Sequence, residues 1–269
     1  MKTQIILRKV HYAFSAFLCT ACLVSCNDWL KPEPLSFYSP ENTYVTKEGL
    51  EGALVSCRAM IRPEFIGNNS YACTELMTSD VAVAGNIVAQ TLKNFEIQLK
   101  PGAYGDSQIG TFWSKGYSAI QKANTIISRV QAADEITEND KNTILAEGYF
   151  HRSYWYYKLV NQFGDVPFID KEVTTPKLDF YSHTRSSILK RLREDMMFAT
   201  RYLPESAPHG AVSKAAGNHL LAKICLACCD FDGAVAATTA VIDHSQHKLM
   251  EKRFGVNISD AQYNIISDL

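Results

Sequence analysis

Between positions 145 and 163, large side chains recur at the spacing of an α-helix, and this segment constrains the fold most strongly. They repeat every three or four residues, the period of a helical face. The stripe consists of Leu145, Tyr149, Arg152, Tyr156, Leu159 and Phe163, widened by Ala146, Phe150, Tyr154 and Tyr157. Gly164 and Pro167 follow at once and are typical of a helix end. The pattern predicts a long helix whose aromatic residues pack mainly in a core and between helices.

Five further segments share this period, whereas no alternation typical of a strand has comparable strength. The first begins after a potential cap at Thr46 and extends to Met60, and the fourth ends before Pro204. Their stripes are Leu50, Leu54 and Cys57; Ile120, Ala123, Ile126, Ile127 and Val130; Ile188, Leu192, Met196, Ala199 and Leu203; Ala216, Leu220, Ile224 and Ala227; and Ala234, Ala237, Val241 and Ile242. We therefore predict an all-α fold of tetratricopeptide-like stacked helical hairpins, with long irregular loops between residues 62 and 113.

The first 25 residues have the pattern of a secretory signal peptide, with Lys2, Arg8 and Lys9 before an uncharged apolar run. The run ends in Leu-Val-Ser-Cys26, which resembles a bacterial lipobox. We predict cleavage after residue 25, a lipid on Cys26, a polar, Pro-rich tether over residues 26–45 and a helical domain over residues 46–269. A plain secretory cleavage site and an uncleaved anchor are the alternatives.

Charge and cysteine content exclude several classes of protein. The formal net charge is −1 and the basic residues are scattered, so a nucleic-acid partner is not expected. Five cysteines remain after residue 26, an odd number that cannot form a closed disulfide framework. Structural zinc usually needs four ligands, so we expect Cys225, Cys228 and Cys229 to pack as small apolar residues. No metal or cofactor is predicted.

Three adjacent polar residues on the aromatic helix suggest acid–base chemistry. Glu147 and His151 are four residues apart, a spacing that predicts a contact on the helix surface. Arg152 is predicted to link packed helices instead. Catalysis would need a nucleophile or a second carboxylate in a cleft, and the sequence contains no motif that supplies one. We therefore predict that the chain is not an enzyme.

Residues 146–168, Ala-Glu-Gly-Tyr-Phe-His-Arg-Ser-Tyr-Trp-Tyr-Tyr-Lys-Leu-Val-Asn-Gln-Phe-Gly-Asp-Val-Pro-Phe, resemble the signature helix and turn of the SusD/RagB family. Flanking segments agree in type and order: Trp113 to Ile127, Asp195 to Pro204 and Val212 to Ala216. The similarity extends from the lipobox to about Ile242. Members of this family are much longer, so the chain resembles their N-terminal part. We expect a fragment that is incomplete at its C-terminus, and a shortened gene is the alternative.

The resemblance implies an outer-membrane, surface-exposed lipoprotein that captures nutrients, mostly glycans, for a SusC-type TonB-dependent transporter. Part of the ligand-facing surface then falls in residues 83–104, and a sugar needs an aromatic platform with amide or hydroxyl partners. The candidate binding residues are Asn86, Gln90, Asn94, Phe95 and Tyr104. Phe95 and Tyr104 could instead anchor the loop to the helices.

Two alternatives concern the ligand. Glycan-binding relatives commonly have a Trp where this chain reads Val83-Ala-Gly-Asn-Ile87, which leaves a starch-like stacking platform without its ring. A peptide is one alternative to an oligosaccharide as the ligand. The other is a helical-repeat scaffold that binds only proteins.

Overall fold

Six α-helices account for most of the residues that the structure describes. The computed structural model describes residues 43–65, 108–133, 136–208 and 210–244. In chain order the helices are α1 (Lys47–Phe65), α2 (Gln108–Arg129), α3 (Glu138–Phe163), α4 (Arg185–Tyr202), α5 (Lys214–Ala227) and α6 (Phe231–His244). A short 3-10 turn, Val130–Ala132, follows α2. The predicted all-α class is confirmed.

Helices that follow one another along the chain pack side by side. Contacts join α2 to α3, α3 to α4, α4 to α5 and α5 to α6, while α1 packs on both α2 and α3. One apolar cluster runs through α2 to α6, and a second lies among α1, α2 and α3. This sequential packing is the predicted tetratricopeptide-like arrangement, in which each helix buries faces on its neighbours.

A long irregular segment separates α3 from α4. It contains two strands of two residues each, β1 (Val166–Pro167) and β2 (Ser182–His183). They pair antiparallel, with Val166 opposite His183. Below, residues 164–184 are called the α3–α4 loop.

The predicted core positions are mostly buried. Leu50, Leu54 and Cys57 are buried on α1, and the stripe of α4 is buried along its whole length. Ala216 and Ile242 are exceptions, because both are exposed. α5 packs on its neighbours through Leu220, Leu221 and Ile224, which leaves Ala216 on the outer side.

Two predicted helix boundaries are wrong. α1 continues past Met60 and through Pro63 to Phe65, and α2 begins at Gln108 rather than near Ile120. Tertiary contacts explain both: Tyr154 and Lys158 of α3 bind the buried Glu64 in the last turn of α1. In α2, Phe112 lies 5.9 Å from Trp155 between ring centroids and Trp113 lies 4.9 Å from Phe163, which stabilises turns of weak intrinsic propensity.

Local capping agrees with the sequence. The Thr46 hydroxyl accepts a hydrogen bond from the Gly49 amide at the start of α1, as predicted. α3 ends at Gly164, whose φ of 75° lies in the region that favours glycine. The amide of Gly164 donates to the Val160 carbonyl and closes the last turn.

The three C-terminal cysteines lie at the turn between α5 and α6. Cys225 is buried and Cys228 is half-buried, as expected for small packing residues, but Cys229 is exposed. Cys229 has φ 60°, and the next amide, that of Asp230, donates back to the Cys225 carbonyl at 2.9 Å. This is a Schellman cap with a cysteine where glycine is usual. Within the described residues, no group of three or more His, Cys, Asp or Glu could hold a metal ion.

The helices in the described part of the chain are not built to span a bilayer. None of them combines enough length with enough apolar character to do so.

Candidate functional site

Arg152 lies at the centre of a buried polar network that joins three elements. Its Nη2 donates to Asp195 Oδ2 of α4 at 2.5 Å, and its Nη1 donates to the Asp170 carbonyl of the α3–α4 loop at 2.9 Å. A longer bond of 3.3 Å reaches Asn124 Oδ1 on α2. Burial raises the pKa of Asp195, while Arg152 opposes that rise. The prediction that Arg152 links packed helices is confirmed.

Glu147 and His151 do not form a surface contact, so that prediction is wrong. Both side chains are buried, because α1 covers this part of α3. Arg58 of α1 donates to both Glu147 carboxylate oxygens, at 2.6 and 2.9 Å, and His151 Nε2 lies 3.5 Å from Glu147 Oε1. Burial tends to raise the pKa of Glu147, but His151 and Arg58 outweigh it and hold the pKa below its usual value. The cluster therefore serves to fasten α1 to α3.

The first half of the α3–α4 loop is held on α2 and α3 by directed hydrogen bonds. Tyr117 donates to the Pro167 carbonyl at 2.8 Å, and Asn124 Nδ2 donates to the Ile169 carbonyl at 2.7 Å. The Ile169 amide donates to the Tyr156 hydroxyl at 2.6 Å. Burial raises the pKa of both tyrosines, so their hydroxyls stay protonated at neutral pH. The loop path is thus fixed by side chains from two helices.

A cleft of about 570 Å³, here the α2 cleft, opens between α2 and this loop. Aromatic rings and uncharged polar groups share its wall. The lining residues are Trp113, Ser114, Tyr117, Ser118, Ile120, Gln121, Asn124, Pro167, Ile169, Lys171, Val173 and Phe180. The Trp113 and Tyr117 ring centroids are 4.9 Å apart, and Phe180 is 40% exposed. The cleft therefore offers both an apolar surface and hydrogen-bonding groups to a ligand.

The chemistry of the lining favours binding over catalysis. Aromatic faces accommodate the apolar face of a sugar ring, and amide, hydroxyl and ammonium groups can bond its hydroxyls. Among the described residues that line the cleft there is no Asp, Glu or His, so these residues supply neither a carboxylate pair for glycoside hydrolysis nor a carboxylate or imidazole general base.

The ligand-binding residues predicted from the sequence lie outside the described residues. They are Asn86, Gln90, Asn94, Phe95 and Tyr104, and the same holds for the lipidation site Cys26. They stay predictions.

Sequence analysis missed the α2 cleft, although part of its pattern is visible. Trp113, Tyr117 and Gln121 recur every four residues along α2 and so share a helical face. Phe180 and Lys171 have no comparable pattern, because the path of the α3–α4 loop brings them to the cleft.

Comparison with known proteins identifies the family. A model of SusD-like proteins, described as starch-binding and associating with the outer membrane, matches residues 50–226. SusD-like protein P2 of Formosa agariphila is 28% identical over 96% of this chain and 50% of its own length. SusD-like protein P25 of the same organism is 24% identical over 98% of this chain and 50% of its own length. The chain thus spans about half the length of these curated relatives.

Solved structures show the same fold. A SusD superfamily protein from Bacteroides vulgatus superposes with a TM-score of 0.67 at 19% identity, over 82% of this chain and 48% of its own. A laminarin-binding SusD-like protein superposes with a TM-score of 0.65 at 22% identity, over 75% of this chain and 46% of its own. Surface glycan-binding protein A from Bacteroides uniformis superposes with a TM-score of 0.64 at 19% identity, over 76% of this chain and 48% of its own. With a family model that matches well over half of its residues, the chain belongs to the SusD-like family.

Proposed function

We propose that the chain is the ligand-capturing part of a non-catalytic, surface-exposed outer-membrane lipoprotein. It binds oligosaccharide and delivers it to a SusC-type TonB-dependent transporter. The observation that carries the binding function is the α2 cleft, where three aromatic rings stand beside amide and hydroxyl groups. Membership in a family described as starch-binding supports the same ligand class.

The cleft is suited to binding because the part of its wall at Pro167 and Ile169 is already held in place. In the proposed complex, sugar rings lie on Trp113, Tyr117 and Phe180, while Gln121 and Lys171 bond their hydroxyls. The network around Arg152 and Asn124 fixes the loop at Ile169 and Asp170 before ligand arrives, which lowers the entropic cost of binding. The predicted residues between Asn86 and Tyr104 would extend the same ligand surface.

A protein-interaction scaffold is the second candidate, and exposed apolar residues on the last helix pair favour it. Phe231, Val235 and Ile242 of α6 are each more than 60% exposed, and Leu226 of α5 is 54% exposed. A chain that is retained by no glycan but is captured by a protein partner through this face would support the scaffold.

Phe180→Ala should weaken glycan binding by about tenfold, because a half-exposed aromatic platform is lost while no core residue changes. The measurement is retardation of the full-length protein in native gels that contain laminarin or starch. Tyr181→Ala is the matched control, since Tyr181 is the next residue, is 78% exposed and does not line the cleft. Equal retardation of both variants and the parent would show that the cleft does not bind these glycans.

Cys26→Ala should release the protein from the membrane fraction, because lipid on Cys26 is the proposed anchor and the tether after it is polar. Fractionation of cells that express the parent and the variant measures this. Cys229→Ala serves as control, since that exposed thiol lies in the folded domain. A Cys26 variant that stays in the membrane fraction would contradict the anchor. Copurification of the parent with a TonB-dependent barrel tests the delivery step.

A further inference from the structure

A second depression of about 850 Å³ lies between α3 and α5, on residues that the α2 cleft does not use. We call it the α3–α5 groove. Its lining combines aromatic, basic and hydrogen-bonding side chains. The lining residues are Phe65, Phe150, Tyr154, Tyr157, Lys158, Asn161, Ala211, Ser213, Ala215, Ala216, His219, Leu220, Lys223 and Val241.

Basic groups from two helices face this groove. Lys158 comes from α3, and His219 and Lys223 come from α5, one helical turn apart. Burial and, second to it, Lys223 lower the pKa of Lys158 to about 8 and also lower that of His219. The Lys158 ammonium is already paired with the Glu64 carboxylate, so among the described lining residues Lys223 carries the uncompensated positive charge. His219 is neutral at pH 7 and can donate or accept a hydrogen bond.

The described residues that line the α3–α5 groove include no Asp or Glu. In the described structure, one carboxylate contacts the side chains that line the groove, that of Glu64. It is fully buried and contacts Lys158 and the Tyr154 hydroxyl. Lys223 is exposed and makes no ion pair with any described residue. A carboxylate placed against Lys223 would therefore gain an ion pair that the described residues do not supply.

The rest of the groove is suited to a ring with polar edges. Phe150 and Tyr154 form a nearly parallel pair, with centroids 6.2 Å apart and planes 20° apart, and Tyr157 adds a third ring to the wall. Asn161 and Ser213 supply an amide and a hydroxyl. Aromatic rings beside scattered hydrogen-bonding groups match a rigid polyhydroxylated ring better than an extended peptide, which would seek backbone partners.

We propose that the α3–α5 groove binds an acidic sugar residue of an oligosaccharide, with its carboxylate against Lys223 and its ring against Tyr154 and Tyr157. This proposal rests on the carbohydrate-binding function proposed above and assigns it a second subsite with preference for uronic acids. The α2 cleft, by contrast, contains one lysine and suits neutral sugars.

The test is calorimetric titration of the full-length protein, in detergent, with trigalacturonate and with its neutral counterpart galactotriose. Trigalacturonate should bind more tightly, and Lys223→Gln should weaken its binding by about tenfold, the effect of one hydrogen bond to a charged group. Galactotriose binding should not change. Lys190→Gln is the matched control, since Lys190 is an exposed lysine on α4 outside the groove.

Four results would overturn the groove proposal. One is trigalacturonate binding that Lys223→Gln leaves unchanged, and another is binding of galactotriose alone; both leave the proposed glycan-binding function standing. The third is displacement of trigalacturonate by a polyglutamate peptide at equal concentration, which would assign the groove to acidic peptides. Absence of binding to either trisaccharide also rejects the groove, and the laminarin and starch gels then decide separately whether the protein binds glycans.

Discussion

Asp195→Ala is expected to lower the free energy of unfolding by about 3–5 kcal/mol, the usual cost of removing one partner from a buried ion pair. Arg152 is 1% exposed and Asp195 is 3% exposed. Without the carboxylate, the Arg152 guanidinium stays buried, and the acceptors left to it among the described residues are the Asp170 carbonyl and the Asn124 side-chain oxygen. An unpaired buried charge is far more costly than the pair was favourable, so the loss is large even though the intact pair adds little net stability.

Urea titration followed by circular dichroism measures this effect. Glu194→Ala is the control, because Glu194 precedes Asp195 on α4 and its side chain is 70% exposed, so its loss should change stability by less than about 0.5 kcal/mol. Asp195→Asn keeps a hydrogen-bond acceptor without the charge. Its loss of stability should lie between those of Glu194→Ala and Asp195→Ala. A loss below about 1 kcal/mol for Asp195→Ala would show that water reaches Arg152 and replaces the carboxylate.

The same substitution links stability to the site. Arg152 holds the Asp170 carbonyl of the α3–α4 loop, and that loop forms one wall of the α2 cleft. Amides of residues 165–172 should therefore exchange faster in Asp195→Ala than in Glu194→Ala, because the network that fixes the loop loses its counter-charge.

Periodicity predicted the helices because burial in this fold follows one face of each helix. Leu192 and Met196, at helical spacing on α4, are fully buried, and Gly164 ends α3 as its position indicates. The predicted helix boundaries are wrong where tertiary packing overrides local preference. The last turn of α1 contains Pro63, which disfavours a helix, but α3 binds Glu64 in that turn and holds it in place. Glu64 lies two turns beyond the buried Cys57.

The candidate site was harder to predict because it is built from residues that only tertiary structure brings together. Phe180 reaches the α2 cleft through a loop of irregular path, and that path depends on Tyr117, Asn124 and Tyr156. Glu147 illustrates the same limit, since its four-residue spacing to His151 is identical for an exposed pair and for a pair that α1 covers. Spacing identifies neighbours on one helix but not the helix that packs over them.

Trp155→Ala is the second substitution with a large expected effect. It should lower the free energy of unfolding by about 3–5 kcal/mol, because it removes a fully buried indole. Trp155 packs between Phe112 of α2, at 5.9 Å, and Tyr154, at 5.8 Å between ring centroids. The cavity left behind would lie in the main apolar cluster, where α2 and α3 meet. Thermal unfolding should show a decrease in Tm of about 6–20 °C for this loss in a domain of this size.

Two companion variants separate packing from ligand contact. Trp155→Phe should lower the free energy of unfolding by less than half as much as Trp155→Ala. The buried indole N–H has no hydrogen-bond partner in the described structure, so its removal leaves no acceptor unpaired. Tyr157→Ala, on the same helix but half-buried in the wall of the α3–α5 groove, should lower the free energy of unfolding less than Trp155→Ala does and should weaken trigalacturonate binding. If Trp155→Ala instead kept its stability and lost glycan binding, the aromatic helix would be a sugar platform rather than core. The burial of Trp155 and Tyr156, both 0% exposed, predicts the opposite, since a ring that contacts ligand must first be reachable from solvent.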